Sequence, residues 1–539
     1  MNAKKRIALL LTLVMLLCAA GCGSGGMVDE GHTFTIAISQ EVDTLNPLSA
    51  WMSVSDEVLM LVYDPLVRYD EQHNSVPCLA ESWEVSDDYL TWTFHLAEGV
   101  TWHDGEPFTS HDVKFSYELF VEEDAYMYSS YMDGISDISC PDDYTVVMQT
   151  EYTKANMLMN PSPVVPRHIW EELDDPYEYG NDHPIGTGPF EFTSEGEGFI
   201  KLSKNENYFM DIPGDIEHIV FVLYENADTA AQALLLGEID GATGLTAAQI
   251  EQMQKAENVD LVLADVPGFS YVAFNTWPES EYEGGNPLLR EKVIRHAIEY
   301  CMDKEKIASM AYGDAGDIGT TLVNPSTDYH YAPTGDELRS YDPDKAAALL
   351  EAAGYRDTDG DGIREAADGT KLSFELITIA DNTPEVKTAQ MMAAGCKLAG
   401  IELRLVTMDS GALGDLVYVG DYEMFIWGWG ADSDPPAIMR IFITDEWWNL
   451  NETGFSDARY DELYFLQQTL MDEDARIAAV HEALKIAYDN AHYIIYIYDN
   501  DIQAIRSDKW TNYRQIPEGE GGIYMNGSAW NYTNIKAVE

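Results

Sequence analysis

Apolar residues recur along this chain with two different periods, and the change from one period to the other marks its elements. Every second residue is apolar from Phe34 to Ile38 and again from Leu90 to Leu96, which predicts strands with one buried face. Other short segments are almost continuously apolar and are predicted as buried strands. These are 61–69, 271–276, 424–427 and 493–498.

Between these strands, apolar residues at every third or fourth position predict helices. Asp342 and Pro343 form a helix start, with Gly354 as its stop, and Gly237 ends a helix that begins near Asp228. Further helices are predicted after Ser110, over 288–301, after Ser456 and after Glu473. Strands and helices alternate throughout, so the predicted fold class is α/β.

The N-terminus carries the pattern of a secretory signal. Lys4, Lys5 and Arg6 precede an apolar run from Ile7 to Leu17, which is too short to span a membrane. Small residues then lead to Cys22, as in a bacterial lipoprotein site. We therefore expect residues 1–21 to be removed, Cys22 to carry lipid and residues 22–32 to form a flexible tether. A plain secretory signal cut near Gly21 is the alternative.

Size and charge narrow the possible functions. Removal of 21 of the 539 residues leaves 518, enough for more than one core. The net charge of −63 becomes −66 without the three signal cations, and such a charge excludes nucleic acid as a partner. Attraction of cationic ligands and a generally acidic surface both explain it. Cys78 and Cys140 could pair, but no zinc or redox motif is present.

The stretch from Leu79 to Glu118 carries three short motifs in a fixed order. They are E-S-W at 81–83, G-x-x-W-H-D-G-x-P-F at 99–108 and D-V-x-F-S-Y at 112–117. This stretch resembles the extracellular solute-binding proteins of family 5, the peptide, dipeptide and nickel receptors of ABC importers. Further matches run from about residue 33 to about 510.

The resemblance implies a two-lobed periplasmic-binding-protein-like fold with mixed sheets, hinge crossovers and an extra subdomain in the first lobe. We assign lobe I to 33–74, 186–272 and 500–539, and the extra subdomain to 75–185. Lobe II is assigned to 273–499. The chain would thus cross to lobe II beside the strand 271–276 and return along 493–498.

A ligand site is predicted where Gly428–Pro435 follows the apolar strand 424–427. An aromatic face beside a carboxylate at a strand end suits a ligand that carries an ammonium group. The resemblance implies that Asp432, in a G-W-x-x-D pattern, holds the α-amino group of a peptide while Trp429 lines the pocket. A core tryptophan and a turn-capping aspartate are the alternative. Further candidate ligand contacts are Asn275, Tyr271 and Trp51.

The segment 357–368 has the spacing of a calcium loop. Acidic side chains stand at the first, third, fifth and twelfth positions, with glycine at the sixth and a backbone carbonyl at the seventh. The predicted ligands are Asp357, Asp359, Asp361, Ile363, Glu365 and Asp368. A strand rather than a helix is predicted to follow, so this is not a complete EF-hand. Calcium would be structural, and no other cofactor is required.

No metalloprotease motif, nucleophile elbow or triad predicts catalysis. We therefore expect a receptor, not an enzyme, that closes on a peptide between its lobes and delivers it to an ABC permease with its ATPase. A monomer is expected, lipid-anchored on the outer face of the bacterial cytoplasmic membrane or periplasmic. An oligosaccharide, a metal chelate or a signalling peptide are alternative ligands for the same fold. A lipoprotein hydrolase is a more distant alternative.

Overall fold

The computed structural model describes residues 32–538 except 71–73, 124, 126, 266–267, 279–284, 314, 381, 431–433 and 448. The signal segment, Cys22 and the tether up to residue 31 lie outside this range. The described strands are β1 (Thr33–Ile38), β2 (Val67–Tyr69), β3 (Ser75–Pro77), β4 (Ala80–Val85), β5 (Thr91–Leu96), β6 (Ile135–Asp142), β7 (Thr145–Thr150), β8 (Phe190–Gly196), β9 (Phe199–Lys204), β10 (His218–Leu223), β11 (Gly241–Leu245), β12 (Asp260–Asp265), β13 (Gly268–Phe274), β14 (Gly316–Ile318), β15 (Ser373–Ile379), β16 (Glu402–Met408), β17 (Met424–Gly430), β18 (Tyr493–Ile505), β19 (Trp510–Thr511) and β20 (Lys536–Ala537).

The described α-helices alternate with these strands, as the sequence predicted. They are α1 (Ser53–Val62), α2 (Ser110–Glu122), α3 (Arg167–Trp170), α4 (Ala227–Leu236), α5 (Ala247–Gln254), α6 (Lys292–Tyr300), α7 (Lys304–Ala311), α8 (Pro343–Ala352), α9 (Thr383–Leu398), α10 (Ser410–Val419), α11 (Pro435–Met439), α12 (Ala458–Thr469), α13 (Glu473–Asn490) and α14 (Trp530–Asn534). Within the residues described, no helix has the length and apolar character that a membrane crossing needs.

Twelve strands of the described chain belong to one mixed sheet, and β18 lies at its centre. The strand order is β16-β15-β17-β13-β18-β11-β1-β10-β9-β8, with β12 and β14 also paired to β18. The first part of β18, Tyr493–Asp499, pairs with β13 and β14. Its second part, Asn500–Ile505, pairs with β12 and β11. One continuous strand therefore joins the two halves of the sheet.

The partner change within β18 falls where the sequence placed the return to lobe I, between residues 499 and 500. At the predicted crossing from lobe I to lobe II, the neighbouring strands also change partner. Strand β12 pairs with the second part of β18, whereas β13 pairs with the first part and with β17. The change there lies between Asp265 and Gly268, a few residues before the predicted boundary at 272. The residue ranges assigned to the two lobes stay a prediction.

A second, four-stranded sheet lies within the segment that the sequence assigned to the extra subdomain. Its order is β4-β5-β7-β6, and α2 contacts β6 and β7. Trp92, Phe94 and Leu96 of β5 point into the core, as their alternation predicted. Helix α2 begins with a capping box in which Thr109 and Asp112 bond each other's backbone N–H groups, which favours a helix start at Ser110.

The strand predicted over 61–69 was wrong in its first part. Residues up to Val62 belong to α1, whose buried side chains Val54, Val58 and Leu61 recur at helical spacing. Only Val67–Tyr69 is a strand. The apolar run 58–62 contains no polar residue, so periodicity within it did not separate a buried helix from a buried strand.

Two smaller predictions met different outcomes. Helix α4 ends as predicted, because Gly237 has φ +77° in the left-handed region that suits glycine, but its N-cap is Asn226 rather than Asp228. Cys78 and Cys140 are both free thiols: the Cys78 Sγ contacts an Asp64 carboxylate oxygen, and the Cys140 Sγ contacts the Ser110 carbonyl.

Candidate functional site

Trp429 lies in a paired strand rather than in the loop that the sequence predicted. Strand β17 continues through Gly430, and Trp429 stands opposite Phe269 of the antiparallel neighbour β13. The indole is half-buried, and its Nε1 donates a hydrogen bond of 3.2 Å to the hydroxyl of Tyr493 in β18. The ring is therefore held from behind by the central strand while part of it remains accessible.

The hydrogen bond from Trp429 continues into a buried network. Tyr493 and Tyr271 both donate from their hydroxyls to Oε2 of Glu452, at 2.5 and 2.8 Å. The two tyrosine rings are stacked, with centroids 3.9 Å apart. Burial raises the pKa of Glu452 to about 7, because desolvation disfavours the charged carboxylate more than the two hydroxyl donors favour it.

The segment that follows β17 includes Asp432, which lies outside the described residues, as do Ala431 and Ser433. The chain resumes at Asp434, whose carboxylate is buried and forms an ion pair with Arg476 of α13 at 2.5 Å. Arg476 also donates to the Tyr329 hydroxyl at 2.9 Å and to the Gln467 amide oxygen at 3.1 Å. The C-terminal end of this segment is thus fixed by a buried charge pair.

Asp434 also contacts the part of the chain assigned to the extra subdomain. Its second carboxylate oxygen accepts a hydrogen bond of 3.1 Å from the Asn156 amide. Two further bonds run beside it, from the Thr153 hydroxyl to the Thr469 carbonyl at 2.7 Å and from the Ala155 N–H to the Gln468 carbonyl at 2.9 Å. Asp434 therefore lies at a contact between the two predicted lobes.

The other predicted ligand contacts lie in different surroundings. The Asn275 side chain is 1% exposed, and its amide donates to the carbonyls of Gly420 and Tyr422 at 2.9 and 2.8 Å. Its hydrogen-bonding capacity is thus used inside the protein. Tyr271 is fully buried and contributes through the Glu452 network. Trp51 is 65% exposed on a loop, where its backbone N–H donates a hydrogen bond to the Asp43 carboxylate.

The predicted calcium loop brings part of its ligand set together. Asp357, Asp359, Asp361 and Glu365 each offer a carboxylate oxygen, and these oxygens all lie within 4.8 Å of one another. Asp368 is a correction, because it does not belong to this group. Its carboxylate accepts a hydrogen bond from the Thr370 N–H and closes the next turn.

Four residues that shape this region were missed from the sequence, namely Glu452, Asp434, Arg476 and Asn156. A signal existed for Arg476, since it stands four residues before Val480 and shares the apolar face of α13 with it. A cation on a buried helix face predicts a buried anion partner. Asn156 carried no such signal, because its partner lies 278 residues away.

Two comparisons of sequence find the same group of proteins. Residues 74–449 match the family model described as bacterial extracellular solute-binding proteins, family 5 Middle. The chain is 25% identical over 528 residues to the oligopeptide-binding protein AppA of Bacillus subtilis, covering 93% of this chain and 95% of the relative. It is also 25% identical over 465 residues to the di/tripeptide-binding protein 3 of Pseudomonas aeruginosa, covering 80% and 83%.

Solved structures confirm the predicted two-lobed fold. AppA from Bacillus subtilis in complex with a nonapeptide matches with a TM-score of 0.75 and 22% identity, over 94% of this chain and 99% of that one. NikZ from Campylobacter jejuni in complex with Ni(L-His) matches with a TM-score of 0.77 and 22% identity, over 93% and 99%. Proteins of this fold thus hold ligands as different as a peptide and a metal chelate.

Proposed function

This chain belongs to the bacterial extracellular solute-binding proteins of family 5, and from that premise we propose that it captures a peptide outside the cell and delivers it to an ABC permease. Relatives along nearly its whole length are named for binding oligopeptides and di- or tripeptides. The observation in this structure that carries the proposal is the anchored Trp429, whose strand leads directly into the segment containing Asp432.

The roles of these two residues follow from their chemistry. Asp432 pairs with the α-amino group of the peptide, and the Trp429 indole covers the adjoining peptide bond or aliphatic stem. Trp429 stands near the end of β17, and Asp432 follows it three residues later in the sequence. The Tyr493 hydroxyl holds the indole edge, so little ring mobility is lost on binding.

Closure of the lobes completes the site. The bonds of Asn156, Thr153 and Ala155 to the other predicted lobe form only when the two are close together. A ligand that contacts both lobes stabilises this closed arrangement, and the permease distinguishes it from the open one. The importer's ATPase supplies the energy for transport. In this mechanism the chain itself only binds the peptide and releases it to the permease.

Attachment to the membrane through a lipid on Cys22 forms a further part of the proposal. The basic, apolar and small-residue segments before Cys22 support it. We expect Cys22→Ser to move the protein from the membrane fraction into the medium or periplasm. Retention of the variant in the membrane fraction would refute the anchor.

The decisive experiment is native mass spectrometry of the chain from Gly23 onward, purified from its own host, followed by denaturing analysis of what is released. We expect peptides. Binding of the released peptides and of their N-acetylated forms is then measured by calorimetry. Because Asp432 pairs with the free amine, acetylation and Asp432→Asn should each weaken binding by about 2–5 kcal/mol.

Asp415→Asn is the matched control, since Asp415 is an exposed aspartate on α10 of the same predicted lobe. It should bind as the unmodified chain does. Release of an oligosaccharide or a metal chelate would keep the receptor and overturn the peptide. Equal binding of acetylated and free peptide would keep the peptide and overturn the role of Asp432. Conversion of the ligand to a new product would instead favour the hydrolase.

A further inference from the structure

The loop between α8 and β15 holds a group of carboxylates that ligand capture does not use. One oxygen each from Asp357, Asp359, Asp361 and Glu365 lies within 4.8 Å of the others. Calcium binds oxygen at about 2.4 Å, so two ligands on opposite sides of one ion are about 4.8 Å apart. The spread of this group therefore fits the coordination sphere of a single calcium ion, before any rearrangement of the loop.

Glu365 supplies an independent indication of a ligand. Its side chain is only 4% exposed, unlike those of the three exposed aspartates. Oε2 accepts hydrogen bonds from the N–H and the hydroxyl of Thr358, at 2.8 and 2.9 Å. Oε1 is buried without a hydrogen-bond partner among the described residues. A buried carboxylate oxygen without a partner is costly, and a cation bound to it would offset that cost.

Lys371 shows where a cation is stabilised in this loop. Its ammonium group contacts the carboxylates of both Asp359 and Asp361, the first at 3.0 Å. One ammonium brings a single positive charge to four carboxylates. Its side chain is 38% exposed, so it can move into solvent when a divalent ion arrives.

The backbone of the loop is already folded around this position. Gly360 and Gly362 have φ values of +84° and +92°, which only glycine adopts readily, and both N–H groups donate to the Asp357 carboxylate. An added Cβ at either glycine would meet no atom within 4 Å. Packing therefore does not require glycine at these two positions, but the positive φ of the turn does.

We propose that this loop binds one calcium ion through Asp357, Asp359, Asp361 and Glu365, displacing the ammonium of Lys371. Calcium is favoured over magnesium because hard oxygen ligands on an adaptable loop suit its variable coordination, whereas magnesium requires a nearly ideal octahedron and retains its waters. The ion would join the end of α8 to the start of β15 at the surface of the predicted second lobe. Asp368 is not a ligand.

The test is calorimetric titration of the purified chain, stripped with EDTA, with CaCl₂ and separately with MgCl₂. One site is expected for calcium, with a dissociation constant of about 10⁻⁴–10⁻³ M as in extracellular calcium modules, and at least about tenfold weaker binding of magnesium. A parallel thermal melt in EDTA establishes that each variant is folded, and calcium should raise the melting temperature of the unmodified chain.

Three variants distinguish this site from nonspecific binding to an acidic surface. Asp359→Asn should weaken calcium binding at least about tenfold, because it removes a charged ligand. Asp368→Asn, a matched loss of one exposed charge in the same loop, should bind as the unmodified chain does. Lys371→Met should bind calcium more tightly, since the competing ammonium is gone.

The opposite results would overturn the proposal. They are absence of both binding heat and thermal shift at about 10 mM calcium, equal effects of Asp359→Asn and Asp368→Asn, or weaker binding by Lys371→Met. The last variant is particularly informative, because a damaged loop would lose calcium affinity rather than gain it.

Discussion

At the scale of single residues, Glu452 makes the stability of the fold depend on pH. Burial raises its pKa from 4.5 to about 7, so the folded protein holds a proton that the unfolded chain releases. The stability from this proton is fully present below pH 4.5 and is lost as the pH rises through 7. That change is on the order of 3–4 kcal/mol.

We therefore expect Glu452→Gln to reduce the loss of stability between pH 5 and pH 8, because glutamine stays neutral and still accepts from Tyr493 and Tyr271. Urea unfolding at the two pH values measures this. Glu41→Gln, at an exposed position, should keep the full dependence. An unchanged pH dependence in Glu452→Gln would contradict the assignment.

The sequence predicted residues whose chemistry is expressed locally and missed those whose chemistry depends on distant partners. Trp429 and the four calcium-loop aspartates were proposed because a short motif contains them, and three of those aspartates lie together in the structure. Glu452 was missed because its two hydroxyl partners are 181 and 41 residues away. The amide of Asn275 looked available until the fold placed two carbonyls beside it.

At the scale of elements, α13 and the segment before α11 are joined by the buried pair of Arg476 and Asp434. Arg476→Met should destabilise the protein by about 3–5 kcal/mol, since it leaves the Asp434 carboxylate buried without its main partner. Adding Asp434→Asn should recover part of that loss. A double-mutant cycle by urea unfolding measures the coupling, and purely additive effects would contradict it.

Most elements could be predicted because their own side chains fix them. The capping box of α2, the Asp342 cap of α8 and the Gly237 stop of α4 are all local signals. The first part of 61–69 was mistaken because an unbroken apolar run fits a helix and a strand equally well. The true length of β18 was also missed, since polar residues 499–501 interrupt its apolar pattern.

At the scale of the whole molecule, we expect the contact between the predicted lobes to affect ligand binding. Asn156→Ala removes the amide that bonds Asp434 across this contact, so the closed arrangement should become less populated. We expect peptide affinity to fall severalfold while the melting temperature of the unliganded protein changes little. Small-angle scattering should show a more extended unliganded chain. Unchanged affinity would indicate that this contact does not contribute to closure.

The central position of β18 has a consequence for how this protein is made. Strands β11, β12, β13 and β14 all pair with residues of β18, yet they precede it by more than 170 residues of chain. Their shared neighbour is synthesised only when the chain has passed residue 493. Until then these strands have exposed edges, which favour aggregation. Productive folding thus depends on protecting an incomplete sheet until the end of synthesis.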